Sequence, residues 1–172
     1  MTAQFHCNDA EVWWGSHRDV DMLPSAPGKI VQKVSIEVAT RNIAGQVTAL
    51  GTADQFTLVV DRSVEAGGGG CGFNGGQLLY LAIAGCVSND LFREATSWGV
   101  TLERVVVRVT GDFVGSPAVS TDVAYDVEIS GSASPEKLRE LVQHVDRIAE
   151  IPNSLRSGTS VELRAIYIAD DV

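Results

Sequence analysis

The chain has 172 residues, 45% hydrophobic and 20% charged, which suits one globular domain whose core needs neither disulfides nor metal. Its 22 acids against 13 bases leave a net charge of −9, a sign that opposes binding to nucleic acid or to an anionic membrane surface. Cys7, Cys71 and Cys86 form no CxxC or zinc spacing, and the N-terminus lacks the basic and apolar regions of a secretory signal, so a reducing cytoplasm and no metal or cofactor are expected.

Residues 1–29 stand apart. They hold Trp13, Trp14, His6, His17 and Cys7 and end in the breaker run Leu-Pro-Ser-Ala-Pro-Gly. The His and Cys spacing matches no structural zinc pattern, so the segment is predicted to be an N-terminal arm, with a domain over 30–172.

From Ile30 the periodicity becomes two. Val34, Ile36 and Val38 alternate with polar residues, a turn is expected over 41–45, and 46–50 and 55–60 supply two further strands. Five glycines then fall among the eight residues between Glu65 and Asn74. A glycine loop opening a helix can cradle phosphate, but this one lacks the Lys-Ser/Thr of a P-loop and the spacing of a dinucleotide fingerprint. A flexible flap is the expectation.

Residues 74–98 read as one long helix, capped by Asn74 with Gln77 three positions on, and stopped by Gly99. Residues 78–87 carry no charge, so this half should be enclosed on all sides; ten such residues are too few to span a bilayer. From Asn89 onward the helix turns amphipathic, Leu91, Phe92 and Ala95 opposing Asp90, Arg93 and Glu94. Gly85 in mid-helix predicts close packing at that turn. Its neighbour Cys86 is either a small core residue or a reactive thiol.

Strands are predicted over 101–113 and 119–129, joined by a Gly115-Ser-Pro117 hairpin loop. Ser134-Pro135-Glu136 starts a second helix with Leu138, Leu141, Val142, Val145 and Ile148 on one face and His144 solvated. Ile151-Pro152 should end it, 153–156 should form a short turn, and 160–169 a last strand. The predicted order is βββ-α-ββ-α-β, an α+β fold.

The long helix with its central Gly-Cys, the Glu-Ala-Gly-Gly-Gly loop before it, and the closing Ser-Pro-Glu-Lys-Leu and Pro-Asn-Ser-Leu-Arg-Ser-Gly-Thr-Ser-Val-Glu-Leu runs resemble the OsmC/Ohr family of osmotically inducible and organic-hydroperoxide-resistance proteins, over about residues 30–169. The resemblance implies an intertwined homodimer with the two central helices at its interface. It also implies a thiol peroxidase in which Cys86 attacks the peroxide, Glu65 and an arginine activate it, and a second cysteine resolves the sulfenic acid. Arg41 is the arginine near the family's position, although Ile43 or Gln46 fits the spacing as well. The second cysteine is missing: depending on register, its place falls to Ile151 or Ala149.

The helix dipole fades within the first turn and Cys86 lies about three turns in, so an approaching guanidinium is required to ionise it. Cys71 is too far along the chain for a ready bridge to Cys86 within one protomer; a bridge between protomers and an incidental loop residue are its remaining readings. Two functions follow, beside a third reading as a structural stress protein with neither activity. One is a one-cysteine peroxidase acting on organic hydroperoxides with an external thiol reductant. The other is a non-catalytic module that holds a small apolar ligand in the dimer-interface pocket.

Overall fold

The computed structural model describes residues 22–24 and 30–167. His6, Cys7, Trp13, Trp14 and His17 lie outside these residues. The class is α+β, as expected. Two short strands, β1 (Met22–Pro24) and β2 (Ile30–Gln32), pair antiparallel across the boundary placed at residue 29.

A three-stranded antiparallel meander follows, β3 (Ala39–Asn42), β4 (Ala49–Ala53) and β5 (Phe56–Val60), in the order β3-β4-β5. Arg41, expected in a turn, is instead in β3 opposite Leu50. The turn comes later, where Gly45 takes φ 71° and Ile43 donates its N–H to the carbonyl of Thr48. Residues 33–38, read as a strand from their alternation, are in no strand, and Val34, Ile36 and Val38 are exposed. Alternation records which face wants burial, but a ladder also needs a neighbour.

The glycine loop leads into α1 (Gly75–Ser97). Asn74 accepts from the N–H of Gln77 at 2.9 Å and Gln77 Oε1 accepts from the N–H of Asn74 at 2.9 Å, the predicted capping box. At the other end Gly99 has φ 65° and Val100 donates to the carbonyl of Ala95. A long antiparallel ribbon, β6 (Leu102–Gly115) and β7 (Ala118–Gly131), comes next, with Ser116-Pro117 as its loop. Its register sets Val105 opposite Ile129, Val107 opposite Val127 and Val109 opposite Tyr125. This apolar face packs on the core built by α1 and by α2 (Pro135–Ile148). Ile83, Val87, Leu91 and Ala95 of α1 meet Leu138, Leu141 and Val145 of α2 there.

The second helix does not run on to Pro152. Ala149 turns extended (φ −60°, ψ 121°), and a new helix, α3 (Glu150–Arg156), begins at once. Pro152 is its third residue, where a helix has no use for an N–H in any case, so the proline starts an element rather than ending one. Residues 160–167 are in no strand, and Val161, Leu163, Ile166 and Tyr167 are exposed. These residues have the alternation of a strand and pair with no strand among the described residues.

The first half of α1 is enclosed on one side only. Ile83 and Val87 are buried, while Leu81 is 50% exposed, Ala82 and Gly85 are exposed, and a Cβ built at Gly85 would meet nothing within 4 Å. Leu78, Leu81, Ala82, Gly85 and Phe92 share one helical face. The second half also departs from its expected pattern, because Phe92 is 49% exposed and Asp90 only 4%. No helix among the described residues is long and apolar enough to cross a membrane.

Candidate active site

Cys86 sits half-buried on α1, one turn beyond Ile83. Its thiol donates to Asp90 Oδ2 at 3.8 Å, the helical i to i+4 relation that puts both side chains on one face. From α3, the backbone N–H groups of Ile151 and Glu150 face the sulfur. Burial pushes the thiol pKa above its ordinary value; the two N–H groups oppose that shift, and the charges of Asp90 and Glu150 add to it. The thiol is therefore protonated at neutral pH in the isolated chain. Of Ile151 and Ala149, the two residues at the family's second-cysteine position, Ile151 is the one whose backbone meets Cys86.

Asp90 is tied on its other oxygen to Arg93, Nη1 to Oδ1 at 2.5 Å. Arg93 also reaches Glu94 at 3.0 Å, and Glu94 meets His144 Nε2 at 3.1 Å. His144, expected to be solvated, is half-buried and lies against the Trp98 ring at 5.4 Å between centroids. The isolated residues of the sequence thus form one polar line across α1 and α2: Cys86, Asp90, Arg93, Glu94, His144.

Glu65 and Arg41 are elsewhere in the chain. Glu65 is exposed in a single 3-10 turn (Val64–Ala66), its carboxyl held below the usual range by its own backbone N–H and the Ser63 hydroxyl. Arg41 is exposed on β3. The leading influences on Cys86 within one chain are instead burial, the backbone of Ile151 and Glu150, and the charges of Asp90 and Glu150.

The glycine loop is fastened rather than free to flap. Asp61, 3% exposed, accepts from the N–H groups of Arg62 at 2.8 Å, Gly69 at 3.1 Å and Cys71 at 3.1 Å, and from the Thr48 hydroxyl at 3.0 Å. Those bonds, that of Cys71 foremost, hold its carboxyl below the usual range. The glycines serve backbone contact: a Cβ at Gly68 would lie 2.2 Å from the Arg62 carbonyl oxygen, and one at Gly72 2.4 Å from that of Val59. Of the amides that could have cradled a phosphate, those of Gly69 and Cys71 are spent on the Asp61 carboxylate and those of Gly67, Gly68 and Gly70 on backbone carbonyls of residues 62–64. Cys71 is exposed, its thiol donating to the Gly69 carbonyl at 3.3 Å.

Two hollows flank this machinery. A cleft of about 750 Å³ opens between the meander and the start of α1, lined in part by Thr40, Val60, Asp61, Arg62, Asn74 and Phe113. A smaller, mostly apolar one of about 280 Å³ lies beside α3, walled by Leu79, Ile83, Val123, Tyr125, Pro152 and Leu155. At its rim the Tyr125 hydroxyl donates to Asp146, which also pairs with Arg156.

Sequence reasoning passed over Asp61 and Asp90. The second had a readable signal, since Cys86 and Asp90 are four apart on a predicted helix. Asp61 had none: nothing local tells that a carboxylate ending a strand will be wrapped by the next loop.

No curated protein matches the sequence. Among solved structures, an OsmC-like protein from Mycoplasma pneumoniae is similar at 18% identity and a TM-score of 0.64, over 73% of this chain and 90% of that one. The organic hydroperoxide resistance protein OhrB of Bacillus subtilis is similar at 18% identity and a TM-score of 0.53, over 73% and 93%. An organic hydroperoxide resistance protein from Legionella pneumophila is similar at 18% identity and a TM-score of 0.56, over 72% and 90%. These likenesses show the fold. The family model described as OsmC-like protein matches residues 67–164, from the glycine loop to beyond α3 and so across Cys86, and by that match the chain belongs to the OsmC-like family.

Proposed function

We propose that two copies of this chain associate along the open face of α1, and that Cys86 is a one-cysteine thiol centre that reduces organic hydroperoxides. The observation that carries the reading is the setting of Cys86: a half-buried sulfur on the central helix, turned to the N–H groups of Ile151 and Glu150. The names of similar structures, organic hydroperoxide resistance proteins, support the substrate class. In the first step the Cys86 thiol and the hydroperoxide become a sulfenic acid and an alcohol as the O–O bond breaks. An external thiol then converts the sulfenic acid to a mixed disulfide and water. A second thiol releases Cys86 and carries away the external disulfide.

Since the charges acting on Cys86 within one chain are acidic, the cation that ionises it comes from the partner copy in this reading, with Arg41 as the guanidinium and Glu65 as the carboxylate that holds it. In this reading the protein works in a reducing cytoplasm, where an external thiol is at hand, with residues 1–29 as an arm on the domain. The test is consumption of an organic hydroperoxide with a dithiol reductant, compared between the wild type and Cys86→Ser. Consumption lost in the variant, with a sulfenic acid trapped in the wild type, is the expected result. Equal rates and no trapped sulfenic acid would overturn it.

A second reading has its own observation. The apolar hollow beside α3 ends one residue from the backbone that meets Cys86, and the thiol there is pushed toward its protonated form. A binding module for a small apolar ligand would use the hollow and leave the sulfur idle, and Cys86→Ser would then bind as the wild type does.

A further inference from the structure

The exposed apolar faces belong to the dimer already proposed, and the glycine loop is satisfied by Asp61. What remains unabsorbed is the carboxylate beside the thiol. Asp90 is 4% exposed, and a carboxylate is buried at this depth only when its oxygens are matched. Oδ1 has Arg93 at 2.5 Å and Oδ2 has the Cys86 thiol at 3.8 Å. A carboxylate is a far weaker base than a thiolate, so the shared proton stays on sulfur. The side chain that takes this proton's hydrogen bond is also the one whose charge a thiolate would face.

We propose that Asp90 is the positioning residue of the Cys86 centre: it aims the sulfur by an S–H to carboxylate hydrogen bond and restrains its ionisation until a second cation arrives. Arg93 cannot be that cation. Its guanidinium is shared between Asp90 and Glu94, and Asp90 stands between it and the sulfur as donor and acceptor connect them. A further charge acting on Cys86 is that of Glu150 at the start of α3, and α2 enters through His144, which is bound to Glu94. The centre is therefore built with a brake as well as a nucleophile. This deepens the peroxidase reading by naming what holds the thiol between turnovers.

The test is the pH profile of alkylation of Cys86 by iodoacetamide in the full chain carrying Cys7→Ser and Cys71→Ser, so that one thiol reports. Asp90→Asn keeps the shape and an oxygen that can accept the S–H while removing the charge. Its profile should move down by about one pH unit, making alkylation at neutral pH roughly tenfold faster. Arg93→Gln leaves the Asp90 charge uncompensated and should move the profile up. A general loosening of the helix would move both variants the same way. An unchanged or raised profile in Asp90→Asn overturns the proposal, and if that variant does not fold, an unchanged or lowered profile in Arg93→Gln does so. Alkylation needs no peroxide. A profile that shifts as expected beside absent peroxidase activity sinks the earlier reading and leaves this one standing.

Discussion

Gly85→Ala separates a chain that stands alone from one that packs helix on helix. A glycine inside a helix costs about 1 kcal/mol against alanine, because more backbone freedom is lost and nothing is packed in return. Within one chain the new Cβ meets nothing within 4 Å, so no clash offsets that gain. An isolated chain should therefore be stabilised by about 1 kcal/mol, a rise of roughly 2–4 °C in melting temperature for a domain of this size. Two α1 helices packed along the open face reverse the sign. Overfilling a packed contact costs about 1–3 kcal/mol, and a two-fold axis presents the same methyl twice. The gain of about 1 kcal/mol per helix is present in the free folded chain as well and cancels from association, so the dimer is left weaker by about 2–6 kcal/mol, or as much as roughly ten-thousandfold in dissociation constant. Sedimentation velocity and thermal melts over a wide range of protein concentration read both quantities. Weakened association, with the melting point raised only where the protein is dilute, is the expected pattern. A variant more stable at every concentration with association unchanged would remove α1 from the interface.

Other consequences are independent of the dimer. Leu141, fully buried where α1 and α2 meet, should cost about 2–5 kcal/mol when cut to alanine, measured by urea unfolding. Asp61→Asn should release the glycine loop, seen as faster amide exchange at Gly69 and Cys71 than at α1 amides; unchanged exchange would mean that the loop is held by something else. In the wild type the same carboxyl is depressed by its N–H donors, so its contribution is present above the ordinary carboxylate range and lost as pH falls through the lower folded value; loop exchange should accelerate only in acid. Burial first, then the bond to Asp146, pushes Tyr125 up to about 12. Between the ordinary tyrosine value of about 10 and that point the folded state keeps a proton the unfolded state loses, so stability falls as pH rises through this window, and Tyr125→Phe should flatten the fall.

How much could be read beforehand follows from how local each signal is. Both ends of α1 were legible because caps are decided within a few residues: Asn74 and Gln77 satisfy each other, and Gly99 turns left-handed. The β6–β7 ribbon was legible for the same reason, as a short loop brings its strands together. The start of α3 was not, because Pro152 is as good in a first turn as after a last one, and only the extended Ala149 decides. Residues 33–38 and 160–167 have the alternation of strands, but pairing depends on what lies alongside. The glycine loop misled because glycine's two uses, freedom and close approach, look alike in sequence. Carbonyl oxygens 2.2 and 2.4 Å from the missing Cβ atoms of Gly68 and Gly72 show which one applies.

The two gaps left by a single chain call for the same thing. Leu81, Gly85 and Phe92 present an apolar helical face to water, and Val161, Leu163, Ile166 and Tyr167 line a strand-like segment that pairs with no strand among the described residues. Cys86, on the same helix, is met within its own chain by burial, two backbone amides and two acids. Burying the first set needs a large complementary surface, and ionising the second needs a positive charge from outside the helical unit. In the proposed dimer a second copy would offer both, since Arg41 and Glu65 are exposed on the same chain that carries the apolar faces. Covering and activation would then be one event. Dilution that separates the copies should return the Cys86 thiol to its slow, Asp90-held form, whereas a thiol whose reactivity ignores association would mean that its cation lies within the chain.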